Sequence, residues 1–126
     1  MSSKSIESQR GPFEVTREDD LAMAARDATV LRADVYRPAA SGPFPVLLRR
    51  TPYGKRLNDL AADFSEAHYF ASHGFLVVVQ DTRGRFTSEG AWYPLIYEAR
   101  DGYDAIEWAA ALPGSSGVVG TFGQSY

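Results

Sequence analysis

A chain of 126 residues with 44% hydrophobic and 13% aromatic content holds enough apolar material for one domain with its own core, which excludes a disordered tail. The formal net charge of -3 gives no broad attraction to nucleic acid or to an anionic membrane, and neither is expected as a partner. With no cysteine, disulfides and thiolate metal sites are excluded, and a reducing compartment is allowed. The opening Met-Ser-Ser-Lys-Ser-Ile-Glu-Ser lacks an apolar leader core, and no later apolar run approaches the ~20 residues that a membrane span needs. A soluble, cytoplasmic protein is expected.

Residues 1–12 are polar and serine-rich at their start and read as a flexible N-terminal arm. From Phe13 the pattern changes: Phe13, Val15 and Arg17 alternate with polar neighbours, and residues 28–36 form a second alternating stretch. In that stretch Leu31, Ala33 and Val35 make the apolar face, with Val30, Arg32, Asp34 and Tyr36 opposite. Two antiparallel strands, each with one wet face, are predicted, joined by the polar Glu18-Asp19-Asp20 region. Arg37-Pro38 ends the second strand and residues 39–43 read as a loop.

Pro45-Val46-Leu47-Leu48-Arg49 is a short continuous apolar run, as expected of a strand covered on both faces. A helix capped by Asn58 or Asp59 is predicted to run to about Ser72, with Leu60, Phe64, Ala67 and Ala71 on one face and His73-Gly74 as its stop. Phe75-Leu76-Val77-Val78-Val79 reads as the most buried strand. A polar, aromatic loop through Trp92-Tyr93-Pro94 leads to an amphipathic helix over 98–112, with Ala105, Ile106, Ala109 and Leu112 inward. Val118-Val119 then marks a last strand. The order predicts an α/β layering in which antiparallel N-terminal strands lead into a mainly parallel sheet with flanking helices. The loops after the three inner strands are Thr51-Pro52-Tyr53-Gly54, Asp81-Thr82-Arg83-Gly84 and Gly123-Gln124-Ser125. They should converge on one edge of that sheet, where open α/β sheets bind ligands.

Gly123-Gln124-Ser125-Tyr126 is the front half of a G-x-S-x-G elbow, in which a sharp strand-to-helix turn lifts the serine hydroxyl out of the sheet. On these four residues alone a surface turn is the favoured reading, and context must decide for a nucleophile. A serine hydroxyl needs a base within hydrogen-bond reach, usually a histidine oriented by a carboxylate. His68 lies mid-helix and His73 at a helix end, and both read as surface or capping residues. In the order serine, acid, histidine, both missing partners would follow Tyr126. An oxyanion hole needs donors aimed at the developing negative oxygen, one commonly the N–H of the residue after the nucleophile, here Tyr126. Tyr53 offers a phenol from the loop after the first inner strand, or else packs as a turn aromatic on Pro52.

Four motifs in order carry a resemblance. They are Arg50-Thr51-Pro52-Tyr53-Gly54-Lys55, then Gln80-Asp81-Thr82-Arg83-Gly84-Arg85-Phe86-Thr87-Ser88-Glu89-Gly90, then Asp101-Gly102-Tyr103-Asp104, then residues 117–126. Together they resemble the N-terminal part of the CocE/NonD hydrolases, the X-Pro dipeptidyl-peptidase S15 group. The resemblance implies that residues 13–126 are the N-terminal portion of an α/β-hydrolase catalytic domain, ending at the nucleophile elbow. It implies a serine hydrolase that cleaves ester or amide bonds of small-molecule ester or peptide substrates through an acyl-enzyme, with no metal and no organic cofactor. In that reading Ser125 is the nucleophile, Tyr53 supplies the oxyanion hydroxyl and Tyr126 the oxyanion N–H. The Asp81-Arg83 turn is expected to be an internal carboxylate–guanidinium tie beneath the site. Trp92 and Tyr93 either line an acyl pocket or pack against their loop, and Glu89 is expected to stay solvated. Two rival readings are a non-catalytic fragment lacking the triad acid and histidine, and a different α/β-hydrolase chemistry such as dehalogenation, which often places Asp at the elbow. Homo-oligomerisation is open on sequence grounds.

Overall fold

A computed structural model describes residues 11–57, 66–123 and 125–126. The helix caps at Asn58 and Asp59, with Leu60 and Phe64, lie outside the described residues, as do residues 1–10 of the arm. The elements in order are β1 (Val15–Ala24), β2 (Val30–Pro38), β3 (Phe44–Thr51), α1 (Glu66–Ser72), β4 (Leu76–Asp81), α2 (Glu98–Ala110) and β5 (Ser115–Thr121). They form one five-stranded sheet in the order β1-β2-β4-β3-β5. β2 pairs antiparallel with both β1 and β4, whereas β3 runs parallel to both β4 and β5. This is the α/β layering expected from the sequence, with an antiparallel entry and a parallel inner part.

β4 is the centre of the fold. Its sequence, Leu-Val-Val-Val-Gln-Asp, is buried at every position, as β-branched residues are when both faces of a strand are covered. Leu76 and Val78 face a core with Leu31, Val35, Ala105 and Ala109, while Val77 and Val79 face a second core with Tyr36, Ala67 and Ala71. The sheet is thus sandwiched between α2 and α1. Ala67 and Ala71 of α1 are both buried, and the helix stops at Gly74, whose φ of 99° is readily adopted by glycine.

Three local expectations are corrected. The acidic Glu18-Asp19-Asp20 region is not the connection between the first two strands but lies inside β1, at a register shift between Glu18 and Leu21. Asp20 takes a φ of 54° there, and its N–H turns inward to the Asp34 carboxylate at 3.0 Å. The chain reverses instead at residues 25–29, where Ala25 N–H donates to Thr29 O at 2.9 Å. Second, β2 has no wet face: Asp34 and Tyr36 are buried along with Leu31, Ala33 and Val35, because β2 is an inner strand flanked by β1 and β4. Third, Ile106 is 39% exposed, while Trp108 and Leu112 pack against the core beside Ala105 and Ala109. One residue advances a helix by about 100°, so Ile106 falls on the flank of a stripe made by Asp101, Ala105 and Ala109.

At the far end of the sheet β5 pairs with β3, and its Val118 is 65% exposed. Among the described residues no helix is long and apolar enough to cross a membrane. Leu31→Ala should destabilise the fold by about 2–5 kcal/mol, because a fully buried side chain leaves a cavity. Ile106→Ala should stay within about 1 kcal/mol. Urea denaturation of both variants checks the assignment of the two positions.

Candidate active site

Because β3, β4 and β5 are parallel, the loops that follow them leave the sheet on the same edge. After β3, the Tyr53 N–H donates to Thr51 Oγ1 at 3.1 Å, and Gly54 turns the chain with a φ of 103°. After β4, Thr82 N–H donates to Thr51 O at 3.1 Å, and Arg85 Nε reaches Pro52 O at 2.9 Å. β5 leaves the sheet earlier: Thr121 pairs with Leu48, three residues short of Thr51, and Phe122 N–H donates to Leu48 O at 3.1 Å. Two residues past Gly123 comes Ser125, with a φ of 62°. A non-glycine residue adopts that left-handed region uncommonly, and here it marks a sharp turn of the chain.

Two of the three expected site residues meet here. The Tyr53 hydroxyl donates to Ser125 Oγ at 3.4 Å, and both side chains open onto a cleft of about 190 Å³ bordered by Arg49, Arg50, Gly54 and Leu57. Arg50 is held by Gln80 Oε1, 2.8 Å from its Nε, and lies 3.5 Å from Glu98. The Arg49 guanidinium covers the Phe122 ring at 5.2 Å. Tyr126 follows Ser125 directly, with its ring anchored away from the cleft: Leu95 N–H donates to its Oη at 2.7 Å, and Trp92 lies 5.5 Å from it.

Trp92 therefore packs, against Tyr126 and the Arg85 guanidinium, and does not border the cleft at Ser125. Tyr93 is exposed and lies against Tyr97. Glu89 keeps its side chain in solvent while its main chain bonds Val30 and Gly84. The expected tie between Asp81 and Arg83 is not made. Arg83 instead forms a bidentate pair with buried Asp101, at 2.8 Å from both oxygens, and reaches Asp27 at 2.8 Å, joining the β4 loop to α2 and to the β1–β2 turn. Asp81 accepts from Lys55 N–H at 2.8 Å and from Thr87 N–H and Oγ1 at 3.1 and 2.6 Å. Side chains two residues apart past a strand end point to different elements, which the motif does not reveal.

His73 packs on Tyr69 just before β4 begins, so it lies at the edge of the sheet opposite Ser125, and His68 lies five residues earlier, on α1. Neither meets the cleft. Among the described residues no group of three or more His, Asp or Glu side chains is arranged to hold a metal ion. Sequence reading missed Lys55, Arg56 and Asp34, which pack together beneath the Tyr53 turn. The signal available was Asp34, a charged residue within the hydrophobic alternation of β2.

The model of the X-Pro dipeptidyl-peptidase (S15 family) matches residues 27–126. The chain belongs to the S15 family. It is 42% identical over 103 residues to a cocaine esterase from Rhodococcus sp. (strain MB1 Bresler), a match covering 80% of this chain and 18% of that protein. A CocE/NonD family hydrolase from Staphylococcus aureus superposes with a TM-score of 0.77 at 30% identity, over 86% of this chain and 23% of that one. An α-amino acid ester hydrolase shares the fold, with a TM-score of 0.74 at 23% identity over 89% of this chain and 21% of its own. The S15 segment described here thus spans about a fifth of the length of the relatives it matches.

Ion pairing around the site sets an acid limit. A hydrogen bond from Arg83 holds the Asp27 carboxyl well below the usual carboxylate range, Lys55 lowers that of Asp20, and Arg26 lowers that of Asp104. Each folded-state pKa lies below its unfolded value of about 3.9, so the unfolded chain binds more protons in acid. The stabilisation is complete above the unfolded value and is lost as pH falls through the folded values. The urea midpoint should hold steady from pH 7 to about pH 5 and drop below about pH 4. A midpoint that rises on acidification would contradict these pairings.

Proposed function

We propose that the protein carrying this S15 segment is a serine hydrolase that cleaves ester or amide bonds, acyl or X-Pro dipeptidyl in type, through an acyl-enzyme. The observation that carries the reading is the Tyr53 hydroxyl 3.4 Å from Ser125 Oγ, with Ser125 held at a left-handed turn beyond a strand. Ser125 Oγ attacks the carbonyl carbon, and the carbonyl oxygen gains negative charge. A phenol already beside the nucleophile is placed to donate to that oxygen, and the Tyr126 N–H is the second donor by its position in the chain. Collapse of that adduct breaks the scissile bond and expels the alcohol or amine, which takes the proton removed from Ser125, and water then cleaves the acyl ester to release the acid and restore the serine. Family membership and the names of the relatives support ester or peptide substrates of small size.

The reading needs a base to take the Ser125 proton. Neither histidine of the 126 residues borders the Ser125 cleft, so we infer that histidine and acid come from chain beyond this segment. Residues 13–126 are then the N-terminal portion of the catalytic domain. Among the described residues no histidine reaches the cleft to serve as that base, and on this reading the 126-residue chain by itself is inactive. A cytoplasmic setting rests on the cysteine-free composition.

In the product of the whole gene, Ser125→Ala should abolish acyl-enzyme formation, read as loss of the product burst and of the acyl adduct by intact mass. Tyr53→Phe should slow turnover by about 10²-fold or more. Undiminished turnover by the Ser125 variant would overturn the proposal. The isolated 126 residues should give no burst with p-nitrophenyl acetate, and a burst would overturn the inference that the base lies elsewhere.

A further inference from the structure

Tyr53 is 46% exposed, so few side-chain contacts of its own fix the ring, and the direction of its hydroxyl is set by the backbone of the turn that carries it. That turn is tied at both ends. Thr51 closes onto β4 through Thr82, Pro52 O is held by Arg85, and Lys55 N–H is held by the Asp81 carboxylate at 2.8 Å. The Lys55 side chain then passes inward and is 4% exposed. Its Nζ lies 2.5 Å from Asp20, 3.5 Å from Asp34 and 3.6 Å from Asp81, carboxylates contributed by β1, β2 and β4. One ammonium therefore joins three strands of the sheet to a turn only two residues from Tyr53.

We propose that Lys55 is a positioning residue for the reaction, locking the Tyr53 turn to the sheet so that the phenol stands opposite Ser125 where the oxyanion forms. This deepens the serine-hydrolase reading and rests on it. The physical logic is that an exposed donor gains catalytic value only if its position is fixed before the charge develops, since a displacement of about 1 Å can cost about 10²-fold in rate. A buried ammonium shared by three carboxylates resists such displacement, because moving it leaves buried charges unmatched. Asp81 extends the lock to the neighbouring loop through Thr87, and the Phe86 ring of that loop stands close enough to Gly54 that a Cβ added there would come within 3.2 Å of it.

The test is a double-mutant cycle in the whole gene product with p-nitrophenyl acetate. Lys55→Met should lower kcat by about tenfold to 10²-fold with KM little changed. In a Tyr53→Phe background the same change should lower kcat by less than about twofold, because the group it positions is already gone. Affinity for a phenylboronic acid, whose tetrahedral adduct mimics the oxyanion, should fall in parallel with kcat. A folded Lys55→Met protein with wild-type kcat, or equal losses in both backgrounds, would overturn the proposal. Should that variant show no cooperative urea transition, Asp20→Asn takes its place and is read by the same two criteria. It weakens the shortest Lys55 contact, and asparagine tolerates the left-handed backbone at that site. Turnover surviving in Ser125→Ala would instead sink the underlying hydrolase reading, whatever Lys55 does.

Discussion

Two carboxylates buried at the carboxyl edge of the sheet, Asp34 and Asp81, constrain everything built above them. Taking such an ion out of water costs on the order of several kcal/mol, a cost offset only when its oxygens are met by donors or countercharge. Asp34 is met by the Asp20 N–H, by the Arg56 guanidinium and by Lys55. Asp81 is met by the Lys55 N–H and ammonium and by both donors of Thr87. Satisfying them brings the 51–57 turn, the 85–88 turn and the bulge of β1 to one place. The apolar cores decide that a sheet forms, and these carboxylates decide how its loops are seated.

A second knot performs the same service at the β1–β2 turn. Arg83 spans buried Asp101 of α2 and Asp27 beyond β1, with the Tyr97 ring 4.7 Å from its guanidinium. The planar fork of arginine suits two carboxylates at once, as a lysine would not. It leaves Asp81 free for the other loop. The two residues of that turn thus divide the work: Asp81 ties Lys55 and Thr87 together, and Arg83 holds the loop to the helix beneath.

Much of this was legible in the sequence because burial writes itself as periodicity. The β4 run, the Ala67 and Ala71 face of α1, and the Ala105 and Ala109 stripe follow from apolar spacing alone. So does the delivery of Tyr53 and Ser125 to one sheet edge, since parallel strands expose their ends together. What could not be read was partner choice among charges. An Asp two residues from an Arg invites a local pair, yet their side chains leave the strand end in different directions and bind residues far apart in sequence. The acidic run in β1 misled for a related reason. Charge density resembles a turn, whereas here it is a bulge whose Asp20 turns its N–H back onto Asp34.

The early departure of β5 from the sheet has a consequence for which changes this segment can accept over evolutionary time. Thr121 is level with Leu48, while Ser125, four positions on in sequence, has its hydroxyl beside that of Tyr53, which lies beyond the end of β3. Each residue of extended chain covers about 3.3 Å. Losing one there would withdraw the hydroxyl by nearly the whole 3.4 Å that separates it from the phenol. The polar loop between β4 and α2 carries no such ruler. Insertions and deletions should therefore collect in that loop among descendants of this chain, while the count from Thr121 to Ser125 stays fixed even where the residues themselves drift.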